Sequence, residues 1–186
     1  GTIDRFNQSL VVDTPAELDA DTLRAMFRAL LDSHEALRSS LQIVAGVLWN
    51  MQSAPPGSVD VDDVLRIVTL DRSVFDDPDA LAAAVSAESS AAAGRLSPGA
   101  GRMVGATWLT TGSPDDPIAG RLILVIHHLA VDGVSRRILL EDLHTLWETA
   151  ATGVAPQPIP TPTPLHAFAA AVTERAADPA LLDEAA

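Results

Sequence analysis

Cysteine and lysine are both missing from these 186 residues. Without cysteine there can be no disulfide and no thiolate metal site. Without lysine all 12 basic residues are arginine, and with 25 acids the net charge is −13. Nucleic-acid binding rests on clustered cations that neutralise phosphates, so this balance argues against a nucleic-acid surface and disfavours an anionic membrane surface. Long apolar runs are missing too. The longest strand-like one, Leu122 to Ile126, is far short of the roughly 20 residues a membrane helix needs. No basic segment followed by an apolar block and a small-residue cleavage site opens the sequence, so the simplest expectation is a cytoplasmic protein. Neither GxGxxG nor GxxxxGK[ST] occurs to cradle a phosphate, and no GxSxG nucleophile elbow occurs.

What is present suffices for a core. Hydrophobic residues make up 47% of the chain and recur along its length, which suits one domain or one large lobe of a bigger domain. Phe6 to Val12 alternates as a strand does. Asp19 or Asp21 can cap a helix whose apolar face is Leu23, Met26, Phe27, Leu30 and Leu31. Leu37 to Val44 and Val47 to Met51 read as a hairpin turning near Gly46, and Leu65 to Leu70 as a further strand. Asp77-Pro78 places a cap and a first-turn proline before an alanine-rich helix reaching about Arg95. Met103 to Leu109 is a strand, and Arg121 to His128 a largely apolar, central one. Ser135 to about Ala151 is a helix with Ile138, Leu139, Leu143, Leu146 and Trp147 on one side. Val154 to Pro164 holds five of the 13 prolines and reads as an extended connector, with a last helix from Leu165 to about Ala177. Strands and helices mix without a strict βαβ rhythm, so the fold class is an α/β (α+β) two-layer sandwich.

The chemistry concentrates where the central strand ends. His127 and His128 lie there, followed by Asp132-Gly133 and then a helix start. Side chains alternate across a strand, so one imidazole points into a channel and the other packs behind the sheet. An imidazole held on a strand end suits proton transfer near neutral pH. His127, His128 and Asp132 diverge too much for a metal site, so no metal is expected. Asp132 either pairs with an arginine, Arg38 or Arg137, or bonds its own turn backbone. Gly133 supplies a backbone conformation or a close substrate approach. His34, His144 and His166 read as surface or packing residues. What remains is an acid or base acting on a substrate brought to it, without a protein nucleophile.

These residues resemble a known family. His127-His128-Leu129-Ala130-Val131-Asp132-Gly133 is similar to the HHxxxDG motif of the condensation and epimerization domains of nonribosomal peptide synthetases. Ser33 to Leu41, SHEALRSSL, resembles their RHExLRTxF segment, with Ser33 in place of arginine and Leu41 in place of phenylalanine. Three features resemble the epimerization subtype. They are Phe6-Asn7-Gln8-Ser9; Val134 to Leu143, with Arg136 where tryptophan is usual; and the proline-rich Thr161 to Phe168.

The resemblance implies a chloramphenicol-acetyltransferase-like lobe, one of two that form a V around a channel. It implies residues 1–153 as the N-terminal lobe and 154–186 as a connector and helix leading toward a second lobe that these residues do not include. The domain would bind no cofactor of its own, its substrate arriving on the 4'-phosphopantetheine of a peptidyl carrier protein. Neighbouring adenylation and condensation modules and the second lobe are the other expected partners; nucleic acid and membrane are not. His128 and His127 would be the catalytic residues, His128 the working one, with Asp132, Gly133 and Arg38 shaping the site. The reaction would be inversion at the α-carbon of a carrier-bound thioester. The alternatives are peptide-bond formation at the same histidine, or a non-catalytic docking module.

Overall fold

The computed structural model describes residues 6–45, 48–113, 117–160 and 163–176. Its centre is a four-stranded sheet in the order β1-β6-β5-β4, built from β1 (Asn7–Asp13), β4 (Leu65–Thr69), β5 (Val104–Thr110) and β6 (Arg121–His127). β6 runs antiparallel to β1 and β5, whereas β4 and β5 are parallel. The parallel pair needs a long crossover. Helices α3 (Arg72–Asp76) and α4 (Pro78–Arg95) supply it. Every residue of β5 is buried, and so is all of β6 after Arg121, which explains why both read as nearly continuous apolar runs.

Strand alternation sorts β6 between two cores. Leu122, Leu124 and Ile126 cluster with α1 (Ala20–Ser33) and α5 (Ser135–Ala151) through Phe27, Leu30, Leu139, Leu143 and Leu146. Ile123 and Val125 turn the other way and cluster with Leu109 and with Ala92 and Leu96 at the end of α4. The α/β class expected from the sequence holds, but the sheet is covered on both faces, giving three layers rather than two. The alanine-rich α4 has no concentrated apolar stripe, so periodicity could not assign it to a face. Its small side chains let the backbone lie close: a Cβ on Gly105 of β5 would stand 3.1 Å from the Ala92 carbonyl oxygen.

The helix expected after Thr14 starts at Ala20. Asp19 is the cap, its carboxylate accepting from the Thr22 N–H at 2.8 Å, and all five expected apolar residues are buried. Asp77 likewise caps α4 through the N–H groups of Asp79 and Ala80, with Pro78 in the first turn. The expected strand from Leu37 begins later. Glu35–Arg38 form a 3-10 turn, and β2 (Ser39–Val44) pairs with β3 (Leu48–Ser53) in a separate two-stranded sheet. Arg38 causes the delay. Its buried guanidinium donates to the carbonyls of Leu31, Asp32 and Ala54, which holds the chain in a turn as it leaves α1. The turn expected near Gly46 lies outside the described residues.

Two short helices have no signal in the sequence, α2 (Val61–Val64) and α3. At four and five residues they are too brief to show a helical period. Helix α6 (Leu165–Ala176) closes the described chain, with every residue exposed; the expected final residue, Ala177, lies outside the described residues. On α5, Leu139, Leu143 and Leu146 are buried as expected and Trp147 is partly so, but Ile138 is 45% exposed. It faces a groove rather than the core.

Candidate functional site

The end of β6 separates the two histidines. β6 stops at His127, one residue earlier than the sequence pattern implies, because the Ala130 N–H turns back to the His127 carbonyl. His127 is fully buried. Its Nδ1 accepts from the Leu129 N–H at 3.1 Å, which places the proton of the neutral ring on Nε2. This is an imidazole built into the wall.

His128 is only half-buried. Its N–H donates to the Phe6 carbonyl at 2.9 Å, extending the β1–β6 ladder by one bond. Its ring stacks on Phe6, with centroids 4.5 Å apart and planes 10° apart. Its Nε2 lies 2.9 Å from the amide nitrogen of Gln8. Of the two, His127 is the packed imidazole and His128 the one that keeps exposed surface. In the sequence the FNQS segment stands out only by its resemblance. Its contact with His128 follows from the β1–β6 register, which sets Asn7 opposite His127 and Gln8 opposite Ile126.

Asp132 and Gly133 sit on the exposed turn beyond. Asp132 Oδ1 accepts from the N–H groups of Val134 and Ser135, at 3.0 and 2.7 Å, and from the Ser135 hydroxyl at 2.7 Å. The Ser135 N–H and hydroxyl bonds hold its carboxyl below the usual carboxylate range. The carboxylate thus caps the start of α5. The alternative of an arginine partner is corrected, since Arg38 is committed to three carbonyls and Arg137 pairs with Glu141 at 2.7 Å. For Gly133 the structure speaks only to the backbone alternative, which it does not support. Gly133 has no positive φ, and a Cβ there would meet nothing within 4 Å, so no described residue requires a glycine.

An unexpected junction lies in the SHEALR segment. Three successive side chains tie three separate pieces of chain. Ser33 Oγ accepts from the Ile159 N–H of the connector at 2.8 Å. His34 Nε2 meets Asp142 of α5 at 2.7 Å. Glu35 accepts from the N–H and the ring Nδ1 of His166 on α6, at 3.2 and 2.8 Å. Burial alone would raise the Glu35 carboxyl, yet the His166 bonds bring it below its ordinary value. His34 and His166, read from sequence as surface or packing residues, are junction residues. For His34, its place four residues before Arg38 in one short segment was the available signal.

Over this junction opens a groove of about 1170 Å³, lined by Leu37, Met51, Ile138, Ile159, Leu165 and Phe168 among others. It includes Ala130 and Ser135 from either side of the motif turn, but neither His127 nor His128. The cavity and the candidate chemistry are therefore different places on this chain. Among the described residues no cluster of three histidine or acidic side chains could hold a metal ion, and no helix is long and apolar enough to cross a membrane.

No family model matches the chain. A linear gramicidin synthase protein of Brevibacillus parabrevis is 34% identical over 156 residues, covering 81% of this chain but 2% of that protein. Bacitracin synthase 1 of Bacillus licheniformis is 30% identical over 154 residues, again 81% of this chain and 3% of that protein. The chain thus corresponds to a small part of these relatives. Among solved structures, the epimerization domain from the third module of tyrocidine synthetase B superposes with a TM-score of 0.77 at 22% identity, over 98% of this chain and 39% of that one. The condensation domain structure concerned with chain release from the enacyloxin polyketide synthase gives a TM-score of 0.70 at 22% identity, over 95% and 31%. Sequence likeness to peptide synthetases over four fifths of its length, on a fold shared with both kinds of domain, makes this chain a member of the nonribosomal peptide synthetase condensation and epimerization domain superfamily.

Proposed function

We propose that the chain is the N-terminal lobe of an epimerization domain, with residues 1–153 as the lobe and 154–186 as the connector and helix toward a second lobe. In this reading it acts in the cytoplasm on an aminoacyl or peptidyl thioester carried on the 4'-phosphopantetheine of a peptidyl carrier protein. Its partners are that carrier, the second lobe and the neighbouring adenylation and condensation modules. The observation that carries the reading is His128: a half-buried imidazole held by Phe6 and Gln8 of the FNQS segment, while its neighbour His127 is locked in the wall.

The chemistry is a proton exchange at the α-carbon. The α-proton leaves to a base, the thioester carbonyl takes up the charge as an enolate-like state, and a proton returned to the opposite face inverts the centre. His128 is one of the two groups this requires. The other must stand on the opposite face, which assigns it to the second lobe and makes the isolated lobe inactive. Asp132 supports the site by starting α5, and Arg38 by anchoring the turn after α1.

The same histidine would serve peptide-bond formation, by orienting or deprotonating an acceptor amine. Likeness to solved structures speaks for the fold and not for either reaction. The epimerization-like FNQS and VSRRILLEDL segments favour inversion. The test uses the longer protein with an L-aminoacyl carrier protein in deuterated water. Deuterium entering the α-position with a D-product is the expected result; peptide formation without exchange would overturn it.

A further inference from the structure

The hydrogen bonding around His128 has a chemical consequence. An amide NH₂ only donates, so the contact between the Gln8 amide nitrogen and His128 Nε2 requires an unprotonated Nε2. The neutral ring then carries its proton on Nδ1. Among the described residues nothing bonds to that Nδ1. In this state the basic lone pair of the neutral ring is engaged by the Gln8 amide, and the ring must give up that bond before it can act as a base. The other end of the same amide, Gln8 Oε1, is buried without a hydrogen-bond partner. Buried carbonyl oxygens are ordinarily satisfied, so an orphan beside a candidate proton-transfer group calls for a partner.

We propose that Gln8 is a positioning residue that sets the tautomer of His128, its amide turning over to present Oε1 to the ring when the imidazole works. With Oε1 facing the ring, Nε2–H donates to Gln8 and Nδ1 becomes the bare nitrogen. After Nδ1 accepts a proton, the imidazolium still donates Nε2–H to the same oxygen. Gln8 thus remains a partner before and after transfer, while Phe6 holds the ring plane from one side. Only a side chain with both a donor and an acceptor can partner the resting ring, whose Nε2 is bare, and the working ring, whose Nε2 is protonated. The proposal rests on the reading of His128 as a proton-transfer group, and it adds Nδ1 as the working nitrogen.

The test is nitrogen-15 NMR of the histidine rings in this chain, well above the ordinary imidazole pKa of about 6.5. The wild-type His128 ring is expected as the Nδ1–H tautomer. Gln8→Glu, which can only accept from the ring, moves the proton to Nε2, and Gln8→Leu leaves a mixture. His127 is the internal control, staying Nε2–H in all three proteins and reporting that the strand end is folded. One and the same His128 tautomer in wild type, Gln8→Glu and Gln8→Leu would overturn the proposal. In the longer protein, Gln8→Leu is expected to lower kcat on the order of ten- to a hundredfold with KM unchanged. An effect confined to KM would also count against it. If His128→Ala left α-proton exchange intact, the reaction reading would fall while the tautomer result stood.

Discussion

Apolar side chains meet opposite fates at the centre of this molecule and along its rim. In β5 and β6 they are enclosed from both sides, and even the polar groups among them are matched: the Trp108 indole N–H donates to Thr14 Oγ1 at 3.1 Å. At the rim, Ile43, Trp49 and Met51 on one face of the β2–β3 hairpin are 37–56% exposed, and Leu165, Phe168 and Val172 on α6 are 41–60% exposed. The hairpin residues share a face because the register sets Ile43 opposite Trp49 and Leu41 opposite Met51. Those on α6 share one because they recur every three to four residues. Both regions carry the amphipathic pattern of folded structure, but among the described residues only the centre is enclosed. His127 and His128 divide along the same line.

Four measurements test this contrast. Leu124→Ala removes a side chain that is 2% exposed from the packed core, and chemical denaturation should show a loss of about 2–5 kcal/mol. A loss below about 1 kcal/mol would mean the centre is not close-packed.

His34→Ala strips Asp142 of its partner at a site where both side chains are only 19% exposed. The expected loss is about 1–3 kcal/mol. Because His34 joins α1 to α5, the double substitution with Asp142→Ala should cost little more than the single one. Additive costs would show that the two do not act as a pair.

Asp132→Ala should lower the melting temperature modestly at neutral pH by uncapping α5. The sign with pH follows from its lowered pKa. The folded state holds the carboxylate more strongly than the unfolded chain does, so the contribution is complete above the unfolded value of about 3.9. It fades as pH falls through the lower folded value. Melting curves of wild type and variant should therefore converge in acid, and a gap that widened there would exclude the capping role.

Phe168→Ala, on the exposed face of α6, should change stability by less than about 0.5 kcal/mol in this chain. The same substitution in the longer protein should matter more if a further lobe covers α6. An equal, negligible effect in both settings would mean that nothing covers this face.

Much of this architecture was readable from the amino acids, for local reasons. The caps Asp19 and Asp77, the apolar face of α1, the central strand and the HHxxxDG turn are written in spacings of one to four residues, where chain geometry leaves few alternatives. Folding in three dimensions was needed for the rest. Which face α4 covers could not be read from a run of alanines. That Asp132 bonds its own turn while Arg38 is taken up by three carbonyls is not written in any local spacing. Gln8 and His128 are 120 residues apart, and only the β1–β6 register brings them together. Pairings of that kind depend on strand order and register, which no local spacing records. The histidine was visible from the start; the residue that governs its proton was not.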